Sequence, residues 1–93
     1  MSRVISRRLI AKGTVQGVGF RASTLREAIR IGGLKGWVRI LPNGDVEILV
    51  QGEQSKVDAL VEWSAHGPTS AEVEKLEEKE SEVDAGLGAF EIR

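Results

Sequence analysis

The chain has 93 residues, 41% hydrophobic and 29% charged, the balance of one ordinary globular domain with a single modest core. Its apolar runs fall short of the ~18 residues that a membrane-crossing helix needs, and its basic start, MSRVISRRLIAKG, has no long apolar segment or cleavage-like site. That stretch therefore reads as a strand rather than a leader, and the expected compartment is the cytoplasm. Zero cysteines exclude disulfides, iron–sulfur clusters and thiol nucleophiles; a single histidine argues against a histidine metal site or a Ser-His-Asp relay.

Net charge is −1, but it is unevenly spread. Residues 1–39 carry nine Lys/Arg against one acid, Glu27, and residues 40–93 carry four against thirteen. Two solvated faces that attract each other on folding would explain this. So would a positive field around an anion site in the first half.

In chain order, residues 3–12 alternate, with Ile5, Leu9 and Ala11 on one side and Val4 and Ile10 on the other, predicting a strand. Ala22, Leu25, Ala28 and Ile29 recur at three and four residues, predicting a helix over residues 20–31 that Gly32 and Gly33 stop. Residues 34–41 (LKGWVRIL) and 46–51 (VEILVQ) predict two strands joined by Pro42-Asn43-Gly44-Asp45. An Asn-Gly pair there signals a hairpin whose two turn positions favour positive φ. Residues 55–66 predict a second helix with Ser55 as N-cap, Val57, Leu60, Val61 and Ser64 inside, and Gly67-Pro68 as stop. Residues 71–82 begin as a strand and drift into a charged edge or loop, and GAFEIR (88–93) is a short last strand. The order is β-α-β-β-α-β with one extra strand: an α+β, ferredoxin-like sandwich of an antiparallel sheet, four strands plus a short fifth, with two helices on one face. Residues 1–93 form one domain in this reading.

The chemistry centres on GTVQGVGFRAS, residues 13–23, where three glycines fall within seven residues, no acid is present, and Arg21 follows directly. The first amides of a helix have no internal partners and carry the positive end of its dipole. Glycines let successive N–H groups turn inward as an anion nest, and phosphate fits such a cradle. Arg21 adds a planar fork matched to two phosphate oxygens. A plain tight turn with a surface arginine explains the residue types equally well. The spacing fails the Walker A pattern. It matches the dinucleotide fingerprint only formally, through Gly17, Gly19 and Ala22, since the Asn43-Gly44 hairpin breaks a doubly wound sheet.

GTVQGVGFR resembles the acylphosphatase signature G-x-V-Q-G-V-G-F-R. GWVRILPNGDVEI resembles its second block, G-W-V-x-N-x-x-D/N-G-x-V-E, and GPTSAEVE and FEIR resemble later stretches, so that the likeness spans nearly the whole chain. The resemblance implies a small, usually monomeric hydrolase of acyl phosphates that uses no metal or cofactor, with inorganic phosphate or sulfate as product or inhibitor. It implies that Val15, Gln16, Gly17, Val18, Gly19 and Phe20 supply backbone amides to the phosphoryl oxygens and that Arg21 grips them. It also implies an asparagine that holds the attacking water, and at that position this chain has Ile40.

Isoleucine cannot hydrogen-bond water, so the expectation is attenuated turnover with phosphate binding kept. As a β-branched residue in a strand, Ile40 would also favour the fold over activity. Asn43 belongs to the turn, Ser23 and Thr24 to the helix entry, and His66 to a helix end, so none is expected to replace the lost group. Trp37 and Trp63 read as core or sheet-face residues. A catalytically silent phosphate-binding module is the alternative. An RNA-binding module lacks stacking aromatics on its central strands, so neither nucleic acid nor membrane is an expected partner.

Overall fold

The computed structural model describes residues 3–93; Met1 and Ser2, the first residues of the stretch read above as no leader, lie outside the described residues. The elements are β1 (Val4–Thr14), α1 (Phe20–Ile31), β2 (Lys35–Ile40), β3 (Val46–Glu53), α2 (Gln54–Ser64), β4 (Glu72–Ser81) and β5 (Glu91–Ile92). They form one sheet in the order β4-β1-β3-β2-β5. The β-α-β-β-α-β plan with a short fifth strand is therefore as expected, and several details are not.

The sheet is mixed rather than antiparallel throughout. β1·β3, β1·β4 and β2·β3 are antiparallel, but β5 runs parallel to β2 through Trp37↔Glu91 and Val38↔Ile92. β4 and β5 lie at opposite edges, so the connecting segment must cross one end of the sheet. The buried Gln51 side chain hooks it as a backbone mimic: Nε2 donates to Asp84 O (2.9 Å) and Oε1 accepts from Asp84 N (2.8 Å). Leu87 is buried beyond that hook, and only Glu91–Ile92 of the predicted 88–93 strand is regular. β4, whose charged rear half was expected as a solvated edge or loop, is an edge strand over all ten residues and pairs with β1 along Ser6–Thr14. Backbone pairing along β1 holds it together with Val73 and Leu76, which pack against the core, and its charged residues suit an edge strand because they discourage further strand addition.

One sheet face carries Ile5, Leu9 and Ala11 of β1, Val38 of β2, and Val46, Ile48 and Val50 of β3, all buried; Phe20 and Ala28 of α1 and Val57 and Leu60 of α2 close over it. The inner stripe of α1 is Phe20, Thr24 and Ala28, not the predicted Ala22–Leu25–Ala28–Ile29 set; Ala22 is exposed and Ile29 is 68% exposed. The misjudged phase comes from Phe20, the largest fully buried side chain, which begins the helix and sets its rotation. α2 buries Val57, Leu60 and Ser64 as expected, but it starts at Gln54 behind Glu53, and Ser55 donates to the Glu53 carboxylate (3.1 Å) instead of capping.

On the other face, Glu47 of β3 is fully buried between Arg8 of β1 and Arg39 of β2; Arg39 Nε donates to Glu47 Oε1 at 2.6 Å. Trp37 lies beside them, with the Arg39 and Arg93 guanidiniums 4.8 and 5.4 Å from its ring centroid. Arg7 pairs with Glu78 (3.5 Å) and Lys12 with Asp45 (2.8 Å) and Glu77 (3.9 Å). Four of the nine first-half cations, Arg7, Arg8, Lys12 and Arg39, thus meet second-half acids, so part of the charge asymmetry is self-complementary.

Candidate active site

β1 ends beside a register shift between Lys12 and Gly13, which turns the chain off the edge of its ladder. Val15 and Phe20, each 2% exposed, then pin the two ends of the loop into the core. Truncating a buried phenylalanine typically costs about 3–5 kcal/mol, so the loop cannot rearrange without disturbing a main core anchor. Trp63 of α2 meets Phe20 edge-on, with centroids 5.7 Å apart.

Between these anchors Gly17 and Gly19 both have φ +73°, and a Cβ on either would meet nothing within 4 Å. The backbone conformation calls for glycine here, and the space outside is open. Gly19 is the N-cap of α1, with no side-chain cap and no acid in the first turn. Ser23 N, bonded to Gly19 O at 3.0 Å, is the first amide to find a protein acceptor; among the described residues, none from Gln16 to Ala22 does. The one loop oxygen held from outside is Val18 O, which accepts from Ser70 Oγ at 2.9 Å. Carbonyl is tied away and amides are left over.

These amides border a cavity of about 240 Å³, lined by Gly17, Gly19, Arg21 and Ala22 from the loop and helix entry and by Ile40 and Ile92 from the sheet, over the buried Val15 and Phe20. Arg21 is exposed and, among the described residues, makes no ion pair or side-chain hydrogen bond. Ile40 pairs with Val46 and shares the helix-side face of β2 with Val38, which turns its half-buried side chain into the cavity.

Of the residues expected at a phosphate, Val15, Gly17, Gly19, Phe20 and Arg21 line this cavity. Gln16 and Val18 do not line it. Gln16 turns toward the β2–β3 turn, its Oε1 2.9 Å from where a Gly44 Cβ would stand, and Val18 packs against the core.

None of the weighed substitutes for the missing asparagine lines the cavity. Asn43 Oδ1 accepts from Asp45 N and its Nδ2 donates to Asp45 Oδ2, both at 3.0 Å. Thr24 donates to Phe20 O, Ser23 accepts from Arg26, and His66 is exposed beyond α2. The turn also differs from the predicted form. Only Gly44 (φ +93°) has positive φ; Asn43 does not, because Leu41 N to Asp45 O and Gly44 N to Leu41 O make a longer loop than a two-residue hairpin. Beside it, the hydrogen bond with Lys12 holds the Asp45 carboxyl below its usual range, and the same bond raises Lys12.

Sequence reasoning missed Ile92, Ala22 and Ser70. Ile92 reaches the cavity only because β5 is parallel to β2, which no local pattern announces; Ser70, in GPTS, carried the weak signal of a hydroxyl in a turn. Among the described residues no cluster of three or more His, Asp or Glu side chains could hold a metal ion.

Helix-entry amides and a guanidinium that have no protein partner among the described residues lie around a small cavity, on the mixed sheet of an α+β sandwich covered by two helices. The sequence matches the acylphosphatase family over residues 7–92, and the chain belongs to that family of acyl phosphate hydrolases. It is 46% identical over 93 residues to the acylphosphatase of Anaeromyxobacter dehalogenans (strain 2CP-C), covering 100% of this chain and 99% of that one. An acylphosphatase structure from Coxiella burnetii superposes with a TM-score of 0.89 at 34% identity, covering 97% of this chain and 93% of that chain. One from Bacillus subtilis gives 0.88, also at 34% identity, covering 98% and 99%. The family acts on small-molecule acyl phosphates.

Proposed function

We propose that the amides of residues 15–20 and the Arg21 guanidinium hold the phosphoryl group of an acyl phosphate, and that Ile40 slows its hydrolysis. In the reaction a water oxygen forms a bond to phosphorus, the bond from phosphorus to the bridging oxygen breaks, and carboxylate leaves with the electron pair. The water's proton passes to a phosphoryl oxygen, so no side-chain base is required. Phosphoryl transfer asks the protein mainly for positioning and electrostatic stabilisation. The free amides and Arg21 supply the stabilisation. Nothing beside them orients water.

The observation that carries this reading is that Ile40, at the position of the family's asparagine, shares one cavity with Gly17, Gly19 and Arg21. Losing one hydrogen-bonding group that acts in the transition state typically costs about 100- to 1000-fold, or about 2.7–4 kcal/mol. The test is Ile40→Asn, assayed on benzoyl phosphate with inorganic phosphate as competitor. Turnover is expected to rise at least about tenfold with little change in phosphate affinity. Equal turnover in the two proteins overturns the role given to Ile40, and no hydrolysis by either favours a silent phosphate-binding module.

The same reading takes the protein as a cytoplasmic monomer inhibited by its product, phosphate. No helix among the described residues is long and apolar enough to cross a membrane.

A further inference from the structure

We propose that Ile92, held in place by Arg93 and Trp37, is the acyl-selectivity element of this site and favours acyl phosphates whose acyl group is compact, apolar and uncharged. The proposal rests on the phosphate reading above and adds the other half of the substrate to it.

Once a phosphoryl group occupies the amides and Arg21, the other cavity-lining side chains are Ala22, Ile40 and Ile92, above the buried Val15 and Phe20. None carries a charge or a hydrogen-bonding group. An ionised substituent on the acyl group, drawn out of water there, finds no partner, whereas a methyl or phenyl group finds hydrocarbon. The cavity, at about 240 Å³, is smaller than the ~300–1,000 Å³ of pockets for drug-sized ligands. Phosphate plus a short acyl group is the scale that fits.

Ile92 is 41% exposed, an unusual place for a large aliphatic side chain in a two-residue strand. The pair Val38↔Ile92 sets it on the helix-side face of the sheet, diagonal to Ile40, and β5 also packs against α1. Two pairings alone hold a strand weakly. One further ladder bond, from Arg93 N to Val38 O at 2.8 Å, and a clamp on the opposite face supplement them: the Arg93 guanidinium lies over Trp37, whose other neighbour is Arg39. Trp37 pairs with Glu91, one residue before Ile92. Trp37 is thus a positioning residue: it touches no substrate, yet its ring fixes the segment that walls the cavity.

The test uses ligands with a methylene in place of the bridging oxygen, so slow turnover does not matter: phenacylphosphonate, acetonylphosphonate and an analogue whose acyl chain ends in a carboxylate. Their affinities, and that of inorganic phosphate, are measured by calorimetry for the parent, Ile92→Ser, Ile92→Lys and Trp37→Leu. The preference for phenacyl over acetonyl ligand is expected to fall about tenfold in Ile92→Ser, the scale of a small apolar contact, with phosphate binding retained. Ile92→Lys is expected to turn preference toward the carboxylate analogue, and Trp37→Leu to lower the phenacyl preference in the same direction as Ile92→Ser. A phenacyl preference unmoved in both Ile92 variants, with phosphate still bound, overturns the selectivity role. Movement in the Ile92 variants without movement in Trp37→Leu overturns the clamp. Failure of the parent to bind phosphate at all overturns the underlying phosphate reading instead.

Discussion

Two glycine-bearing segments lie side by side in this molecule, Gln16 of one against Gly44 of the other, and their hydrogen bonds divide them. In the turn from Leu41 to Asp45, Leu41 N reaches Asp45 O, Gly44 N reaches Leu41 O, Asp45 N reaches the Asn43 side chain, and the Asp45 carboxylate takes bonds from Asn43 and Lys12. The loop from Gln16 to Gly19 leaves its amides without protein acceptors and keeps acids away from them. Both contain glycine at positive φ. The turn consumes its own polarity, and the loop saves it for something else. Unspent donors, rather than glycine content, distinguish a binding loop from a structural one.

The sharpest way to break the comparison is Arg21→Ala. It removes the one charge beside the free amides, and acyl phosphate turnover is expected to fall about 100- to 1000-fold, with phosphate inhibition weakened in the same assay. Thermal unfolding should change little, because Arg21 is exposed and, among the described residues, its side chain makes no hydrogen bond or ion pair. A variant with full activity would show that the loop's donors are not the site. Next comes the paired exchange of Gly19→Ala and Gly44→Ala. Each forces a Cβ into left-handed backbone, at about 1–2 kcal/mol, read by denaturant unfolding. Only Gly19→Ala is expected to weaken phosphate binding as well, by severalfold in calorimetry, and a phosphate loss in Gly44→Ala would erase the distinction.

The smallest effect is a pH dependence at the turn. Lys12 lowers the Asp45 pKa, so the pair stabilises the fold above the usual carboxylate range and that contribution fades as pH falls through the lowered value. The Lys12 pKa is raised, so its contribution holds below the ordinary ammonium value and fades as pH rises through the raised one. The stability gap between the parent and Asp45→Asn should therefore be flat between about pH 5 and 9 and close at both ends, outside the ordinary values of ~3.9 and ~10.4. A gap unchanged into acid would assign it to the turn hydrogen bonds instead of the ion pair.

The element order, the hairpin, both helices and the glycine loop were legible because each rests on local chemistry: alternation, three-and-four spacing, and breakers. The cavity wall was half legible. Ile40 stood out against GWVRI, whereas Ile92 needed the parallel pairing of β5, a contact between distant segments. The rear of β4 could be read only as an edge or a loop for a related reason, since KLEEKES has Leu76 as its sole apolar residue and its strand pairing comes from β1. Helix α1 was placed correctly but rotated wrongly, because Phe20 was assigned to the loop motif rather than weighed as an anchor. Glu47 was invisible as a buried acid because Arg8 and Arg39 meet it only after three strands assemble.

That meeting has a consequence for how the wall is built. If β3 slid by one residue against its neighbours, Glu47 would enter the hydrocarbon layer beneath the helices, and Val46 and Ile48 would surface. Stripping a buried charge of its partners typically costs about 3–5 kcal/mol. The sheet thus proofreads its own alignment with one carboxylate and two guanidiniums, and in each correctly threaded molecule residue 40 arrives at the same point in space, whichever side chain it carries.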